Sequence, residues 1–475
     1  MFHPDILVTV DAGAIAHMFS KEASVLLWYV ADFGYSPAST VTPLFAEKSD
    51  AIRTLIDRSA GKGLPYVTGD IHKRQRYQLS PFFSTQATRE MFGVIDTCAQ
   101  TVAELLTTKI NSGVTVVNIP EWTGRATLDV IGRFAFDYDF ECGESEAAKT
   151  IQQSWKQQVD LTMQRAGFIG ILVLRACPWI VDLPIKAIQQ DGAVKVAVRK
   201  LARKVIERGP SETKQKNLLS TLLGLAAKGE LDASGDELLD HASNLRSCII
   251  STLILVGHET TAGSLTWTLY ELAKKPEYQN RLREEIMSLG REPTYEDIMS
   301  GMPFLDAVMK ESFRHRPGSS HTERIALKDD VLRLRNPVYN DRGHKVTEVP
   351  IKAGQLIHIP SISLTHLKSV WGPDAEEFKP ERWLDPARIP SPSETSAGWS
   401  GLFIFSEGAR SCIGYRLAIL EFKVILATYI RHFEFHDTGA TIKHRFATTL
   451  QPYVVGEEAK GGQLPLRVSL VDAQK

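Results

Sequence analysis

Apolar residues recur at helical spacing along most of the chain, and only short stretches alternate as strands do. The helical period predicts helices over Met91–Lys109, Thr150–Met163, Ala193–Arg208, Asp240–Leu272 and Tyr415–Tyr429. Strand-like runs lie at Ile6–Val10, Gln355–Ile359 and Leu466–Leu470. The expected fold class is therefore mainly α with a small β portion. The 475 residues alone suggest about three domains. No Gly/Ser-rich or proline-rich linker divides them, however, and no repeat period appears, so residues 1–475 are expected to form a single domain. No apolar run reaches the roughly 18 residues that a membrane-spanning helix requires.

One predicted helix carries residues that its period does not explain. In Asp240–Leu272, Ile249, Ile250, Leu253, Ile254 and Leu255 are followed by Val256, Gly257, His258, Glu259, Thr260 and Thr261. A glycine inside a helix costs roughly 1 kcal/mol against alanine. A buried carboxylate must in addition be paired or neutralised. Read from the residues alone, the stretch is either a solvent-facing turn or a functional interruption.

Charge and cysteine usage narrow the chemistry. A formal net charge of −1 argues against a nucleic-acid binder. The five cysteines are odd in number and widely spaced, without paired metal-binding intervals, so no disulfide framework is expected and a reducing compartment is favoured. Cys98, Cys142, Cys177 and Cys248 are expected to be buried small hydrophobes. Cys412 differs. It sits in the loop Phe405–Gly414, punctuated by Gly408 and Gly414, directly before a helix. Loop amides and a helix N-terminus both lower a thiol's pKa, which makes Cys412 a candidate thiolate. Arg410 adds a cation that suits either the sulfur or a bound carboxylate.

The loop resembles the haem-binding loop of the cytochrome P450 monooxygenases, which reads Phe, two residues, Gly, one residue, Arg, one residue, Cys, one residue, Gly. Phe405, Gly408, Arg410, Cys412 and Gly414 fill every position. The resemblance implies that Cys412 is the axial thiolate on the iron of haem b, that Phe405 packs beside the sulfur, and that Arg410 pairs with a haem propionate. Val256–Thr261 resembles the family's oxygen-binding groove, where a small residue lets ligand approach the backbone. It implies Thr260 and Glu259 as the pair that delivers protons during oxygen activation. Val256 departs from the pattern, because the family usually has Ala or Gly there. Glu311 and Arg314, three apart on one helical face, could be an ordinary surface pair. With Phe378–Trp383 downstream they resemble the family's buried charge triad, in which Glu311 sits between Arg314 and Arg382. His72 and Arg76, four apart, read alone as a solvated basic helix face. By resemblance they bind propionates, as does Arg324.

The implied activity is insertion of one oxygen atom of O2 into an apolar small molecule, a terpenoid-like substrate of fungal secondary metabolism being expected. Xenobiotic aromatics are the alternative substrate class. A haem-thiolate isomerase or dehydratase, expected to lack the acid–Thr pair, and an inactive haem-binding product remain open as alternative functions. No dinucleotide fingerprint follows the loop. Electrons are therefore expected from NADPH–cytochrome P450 reductase, steered to a basic face carrying Lys73, Arg74, Arg416 and Lys423. Eukaryotic members begin with a spanning helix and a proline-rich hinge, whereas this sequence opens directly onto Asp5–Val10. The expectation is an N-terminally truncated chain of a kind found on the cytoplasmic side of the endoplasmic reticulum. Residues 168–181 are a candidate membrane contact.

Overall fold

The computed structural model describes residues 6–19, 46–163, 192–208, 238–446 and 449–471, with a few positions between 173 and 183. Its main helices are α1 (Ala12–Phe19), α2 (Asp50–Ala60), α3 (Gly69–Leu79), α4 (Phe92–Asn111), α5 (Ile119–Phe136), α6 (Glu146–Met163), α7 (Ala193–Arg208), α8 (Leu238–Lys274), α9 (Pro276–Met287), α10 (Pro303–His315) and α11 (Tyr415–His432). The strands are β1 (Leu7–Val8), β2 (Ala46–Glu47), β3 (Val116–Asn118), β4 (Thr322–Ala326), β5 (Asp330–Tyr339), β6 (Lys345–Ile351), β7 (Leu356–Ile359), β8 (Phe433–Asp437), β9 (Ile442–Phe446), β10 (Leu450–Val454) and β11 (Pro465–Leu470). Helix predominates and the sheets are small, as the hydrophobic period predicted.

Helix α8 runs unbroken through Val256–Thr261, so the polar residues there do not form a turn. It packs along α5. The glycine allows that approach: a Cβ at Gly257 would lie 2.7 Å from the Ile131 side chain of α5. Gly257 therefore serves helix packing, a different use from the ligand approach expected of a small residue in this segment. Helix α11 is apolar almost all round, and Leu420, Phe422, Ile425, Leu426 and Ile430 are buried accordingly.

Four strands form one sheet in the order β1-β7-β4-β2. The antiparallel register of β2 on β4 pairs Ala46 with Ala326 and Glu47 with Ile325. The next residue on each strand, Lys48 and Arg324, is thereby brought together. The expected strand Ile6–Val10 shortens to Leu7–Val8, extended only by Thr9 donating its N–H to the His358 carbonyl. The β5–β6 hairpin had no clear period because its residues are mostly exposed and the core does not impose alternation on them.

Cys98 and Cys142 are buried as expected, whereas Cys177 is only partly so. Candidate membrane contact 168–181 lies almost wholly outside the described residues. Among the described residues no helix is long and apolar enough to cross a membrane.

Candidate active site

The Cys412 loop is shaped by one obligatory glycine. Gly408 has φ +61°, and a Cβ there would collide with the Phe19 carbonyl oxygen of α1. Gly414 is less constrained, with φ −91° and only ordinary contact to Phe83 for an added Cβ. Cys412 donates its N–H to the Phe405 carbonyl at 2.7 Å, which closes the loop. The Phe405 ring meets Phe313 and Trp399 edge-on at 5.7 and 5.6 Å, anchoring the apolar end of the loop. Cys412 is open on one side while protein surrounds the loop. Burial raises the thiol pKa, and the Gly414 N–H and the Arg76 guanidinium oppose that only in part. The lowered thiol pKa expected from the loop and helix terminus is thus not met in the chain by itself, because desolvation outweighs both contacts.

Five basic side chains gather beside this loop. Arg76 donates to the Ser411 carbonyl at 2.7 Å and to its hydroxyl at 3.1 Å, tying α3 to the residue before Cys412. Arg410 donates to the Val67 carbonyl at 2.9 Å, and Arg324 donates to the Thr322 hydroxyl and the Glu323 carbonyl, both at 2.7 Å. His72 is buried one turn before Arg76. The fifth, Lys48, escaped the sequence reading. Its ammonium donates to the Pro65 carbonyl at 2.9 Å, and Ser49 beside it is hydrogen-bonded to Glu323 on β4. Burial, then the charges of Arg324 and Arg410, lower Lys48 to about 7. Burial, then Arg410, Arg76 and Lys48, lower His72 to about 3. Burial and Arg410 lower Arg324 to about 10.

Buried cations need an anion. Among the described residues, Lys48, Arg76 and Arg324 form no salt bridge. A rigid dianion with two carboxylates would relieve this repulsion, and haem carries such a pair next to the iron that a thiolate can hold. The donor set therefore fits haem.

Glu259 and Thr260 are neighbours whose side chains part. The Thr260 hydroxyl donates to the Val256 carbonyl at 3.1 Å, on the helix face where Val256 is exposed. Glu259 turns the other way and is buried. Its Oε1 accepts from the Thr449 hydroxyl at 2.9 Å and from Gln451 Nε2 at 2.5 Å. Burial raises its pKa to about 7, against the lowering effect of hydrogen bonds from Thr449, Gln451 and Trp155. A cavity of about 310 Å³ opens onto it, lined in part by Gln152, Gln153, Trp155, Lys156 and Gln451. Among the described residues no hydrogen bond joins Glu259 to Thr260.

The triad residues do meet. Arg314 grips Glu311 with Nε and Nη2, both at 2.8 Å, and donates to the carbonyls of Thr365, Ala375 and Glu377. Arg382 stands 3.8 Å from Glu311 and pairs more closely with Asp374 at 3.0 Å. Trp383 Nε1 and the Lys379 N–H fill the remaining acceptor sites of Glu311.

Lys73, Arg74 and Arg416 are exposed. Lys423 is a correction. It is buried, 2.8 Å from Asp306 and 3.3 Å from the Met299 carbonyl, so it offers no charge to a partner. A lysine in a helix that is apolar all round belongs inside with its acid.

Sequence reasoning also missed Thr449 and Gln451. Neither Lys48 nor these two has a local motif.

The family model "Cytochrome P450" matches residues 42–456. Cytochrome P450 monooxygenase claQ of Ampulloclitocybe clavipes is 32% identical, the match covering 98% of this chain and 84% of that protein. Cytochrome P450 monooxygenase 212 of Postia placenta (strain ATCC 44394 / Madison 698-R) is 29% identical, with 99% and 89% covered. The crystal structure of a cytochrome P450 (CYP102L1) superposes with a TM-score of 0.66 at 21% identity, over 90% of this chain and 86% of that one, which establishes the common fold. Loop, basic cluster, fold and relatives converge: the chain belongs to the cytochrome P450 family and is a monooxygenase of that family.

Proposed function

We propose that residues 1–475 form one haem-thiolate monooxygenase domain that inserts an oxygen atom of O2 into an apolar small molecule of fungal secondary metabolism. Electrons come from NADPH–cytochrome P450 reductase at the cytoplasmic face of the endoplasmic reticulum. The reading is carried by one observation: Lys48, His72, Arg76, Arg324 and Arg410 converge beside Cys412 at the cost of lowered pKa values for Lys48, His72 and Arg324. The fungal monooxygenase relatives support the setting.

When bound, haem supplies the iron that takes up O2 and transfers its oxygen atom. The chain supplies the rest. Cys412 would hold the iron through its thiolate, and Phe405 and Gly408 keep its loop in place. Arg76, Arg324, Arg410, Lys48 and His72 would hold the propionates, His72 as a neutral donor. Val256 forms part of the wall on the Thr260 side of α8. Thr260 offers a hydroxyl to a water molecule on that side, and Glu259 carries protons in from the cavity behind the helix. Glu311, Arg314 and Arg382 keep α10 and the segment ending at Trp383 together beneath the loop.

The test is a carbon monoxide difference spectrum of the reduced recombinant chain. A red-shifted thiolate-type Soret band is expected, and it should be lost in Cys412→Ala. A wild-type chain that binds haem without that band would sink the proposal.

A further inference from the structure

Resting on the reading of Glu259 as proton carrier, we infer that Thr449 and Gln451 are positioning residues that hold the Glu259 carboxyl against the cavity between α5, α6 and α8, where it takes its protons from solvent. Both donors converge on one oxygen, Oε1, at 2.9 and 2.5 Å. Gln451 Nε2 also reaches the Thr449 hydroxyl at 2.6 Å, so the three groups form a closed triangle. Strand β10 is itself pinned to α8, because Trp267 Nε1 donates to the Leu450 carbonyl, between the two positions, at 2.9 Å. The hairpin thus fixes the carboxyl from outside its own helix.

The direction of that hold matters. Left alone, a glutamate next to Thr260 could turn toward either side of α8; here it is held on the cavity side. Exposed Gln153 and Lys156 of α6 line the same cavity, which gives it a way out to solvent. The holding groups are neutral. Among the titratable groups that face the cavity, Glu121 comes from α5, Lys156 from α6 and His258 from α8 itself. None of them bonds the carboxyl, and His258 turns its Nδ1 to the Ile254 carbonyl at 2.8 Å. A cation in Gln451's place would fix the carboxylate as an ion. Neutral donors fix its place and leave its proton exchangeable.

The experiment is an infrared pH titration of the carboxylic acid carbonyl band in the haem-loaded enzyme, with the band assigned by its loss in Glu259→Gln. Thr449→Val and Gln451→Leu each remove a hydrogen bond that favours the ionised form. Each is expected to move the titration upward by about one pH unit. Thr449→Ser keeps the hydroxyl and should titrate as wild type, and an unchanged haem spectrum checks folding. Titrations that coincide in wild type, Thr449→Val and Gln451→Leu would overturn the positioning role. Peroxide released per NADPH consumed with added reductase is measured on the same variants below pH about 7, where the carboxyl is protonated in all of them and only its placement differs, and is expected to rise. A moved titration with an unchanged peroxide ratio would leave the positioning standing and overturn the proton-carrier reading.

Discussion

A single carboxyl and a single ammonium set the pH behaviour of the site. Glu259 keeps its proton in the folded chain up to about 7, well above its ordinary value of 4.5. A folded pKa above the unfolded one means that the folded state binds more protons between those values, and that the acid form is present below about 7 and lost above it. If Glu259 feeds protons to Thr260, peroxide per NADPH should rise as pH increases through about 7, and Glu259→Gln should remove the step. Measuring that ratio from acid to alkaline pH decides the matter. Lys48 runs in the opposite sense. Its folded pKa is lowered from 10.5 to about 7, so the unfolded chain binds the extra proton across that window. The haem-free protein should therefore become more stable as pH rises from about 7 toward 10.5, and Lys48→Met should flatten that rise in a denaturant titration. With haem bound, the ammonium gains a carboxylate instead of repulsion. A charge-assisted hydrogen bond is worth about 1.5–3 kcal/mol, so Lys48→Met should speed haem transfer to apomyoglobin by roughly tenfold or more.

Buried polar contacts join elements around the site. Arg314 on α10 is fully buried, and its guanidinium bonds Glu311 and three backbone carbonyls drawn from residues 365–377. Replacing it with leucine would leave the Glu311 carboxylate in the interior with only Arg382, at 3.8 Å, to balance it. Removing one partner of a buried pair costs about 3–5 kcal/mol. Arg314→Leu should lower unfolding free energy by that amount and reduce haem recovery, whereas Arg314→Leu combined with Glu311→Leu should recover part of it. A double-mutant cycle in denaturant measures both. The same reasoning explains why α8 tolerates its polar centre. Gly257 is occupied by Ile131 from the neighbouring helix, and Glu259 is satisfied by β10 and the residue before it. The helix continues because its neighbours meet the cost locally.

At the scale of the whole molecule, what could be read from sequence was what lies close together in it. The loop from Phe405 to Cys412, the pair Glu311 and Arg314, and the turn from His72 to Arg76 each fit within a few residues, so their resemblance to short family motifs exposed them. Thr449 meets Glu259 across 190 residues, and Lys48 reaches Arg324 only through the β2–β4 register. Neither is visible before the chain is folded. Lys423 failed in the reverse way: its charge suggested a surface, while the apolar residues on every side of α11 put it inside with Asp306. That correction reduces the proposed docking face to Lys73, Arg74 and Arg416, and it sharpens the last prediction. Lys73 already shares its charge with Asp70 at 3.2 Å, and Arg416 lies over the Tyr415 ring at 4.5 Å, close to where α11 leaves the Cys412 loop. An acidic reductase approaching this face would be drawn by exposed charges, which salt screens over about 8–10 Å at physiological strength. Raising ionic strength should therefore slow the first electron transfer from the reductase, followed as carbon monoxide trapping of reduced haem in stopped flow. Arg416→Glu should slow it at low salt and weaken its dependence on salt, while Lys423→Gln should change stability and leave that dependence as in wild type. Equal salt slopes in wild type and Arg416→Glu would mean that the partner docks elsewhere, because a charge reversal inside an electrostatic docking face cannot leave the slope untouched.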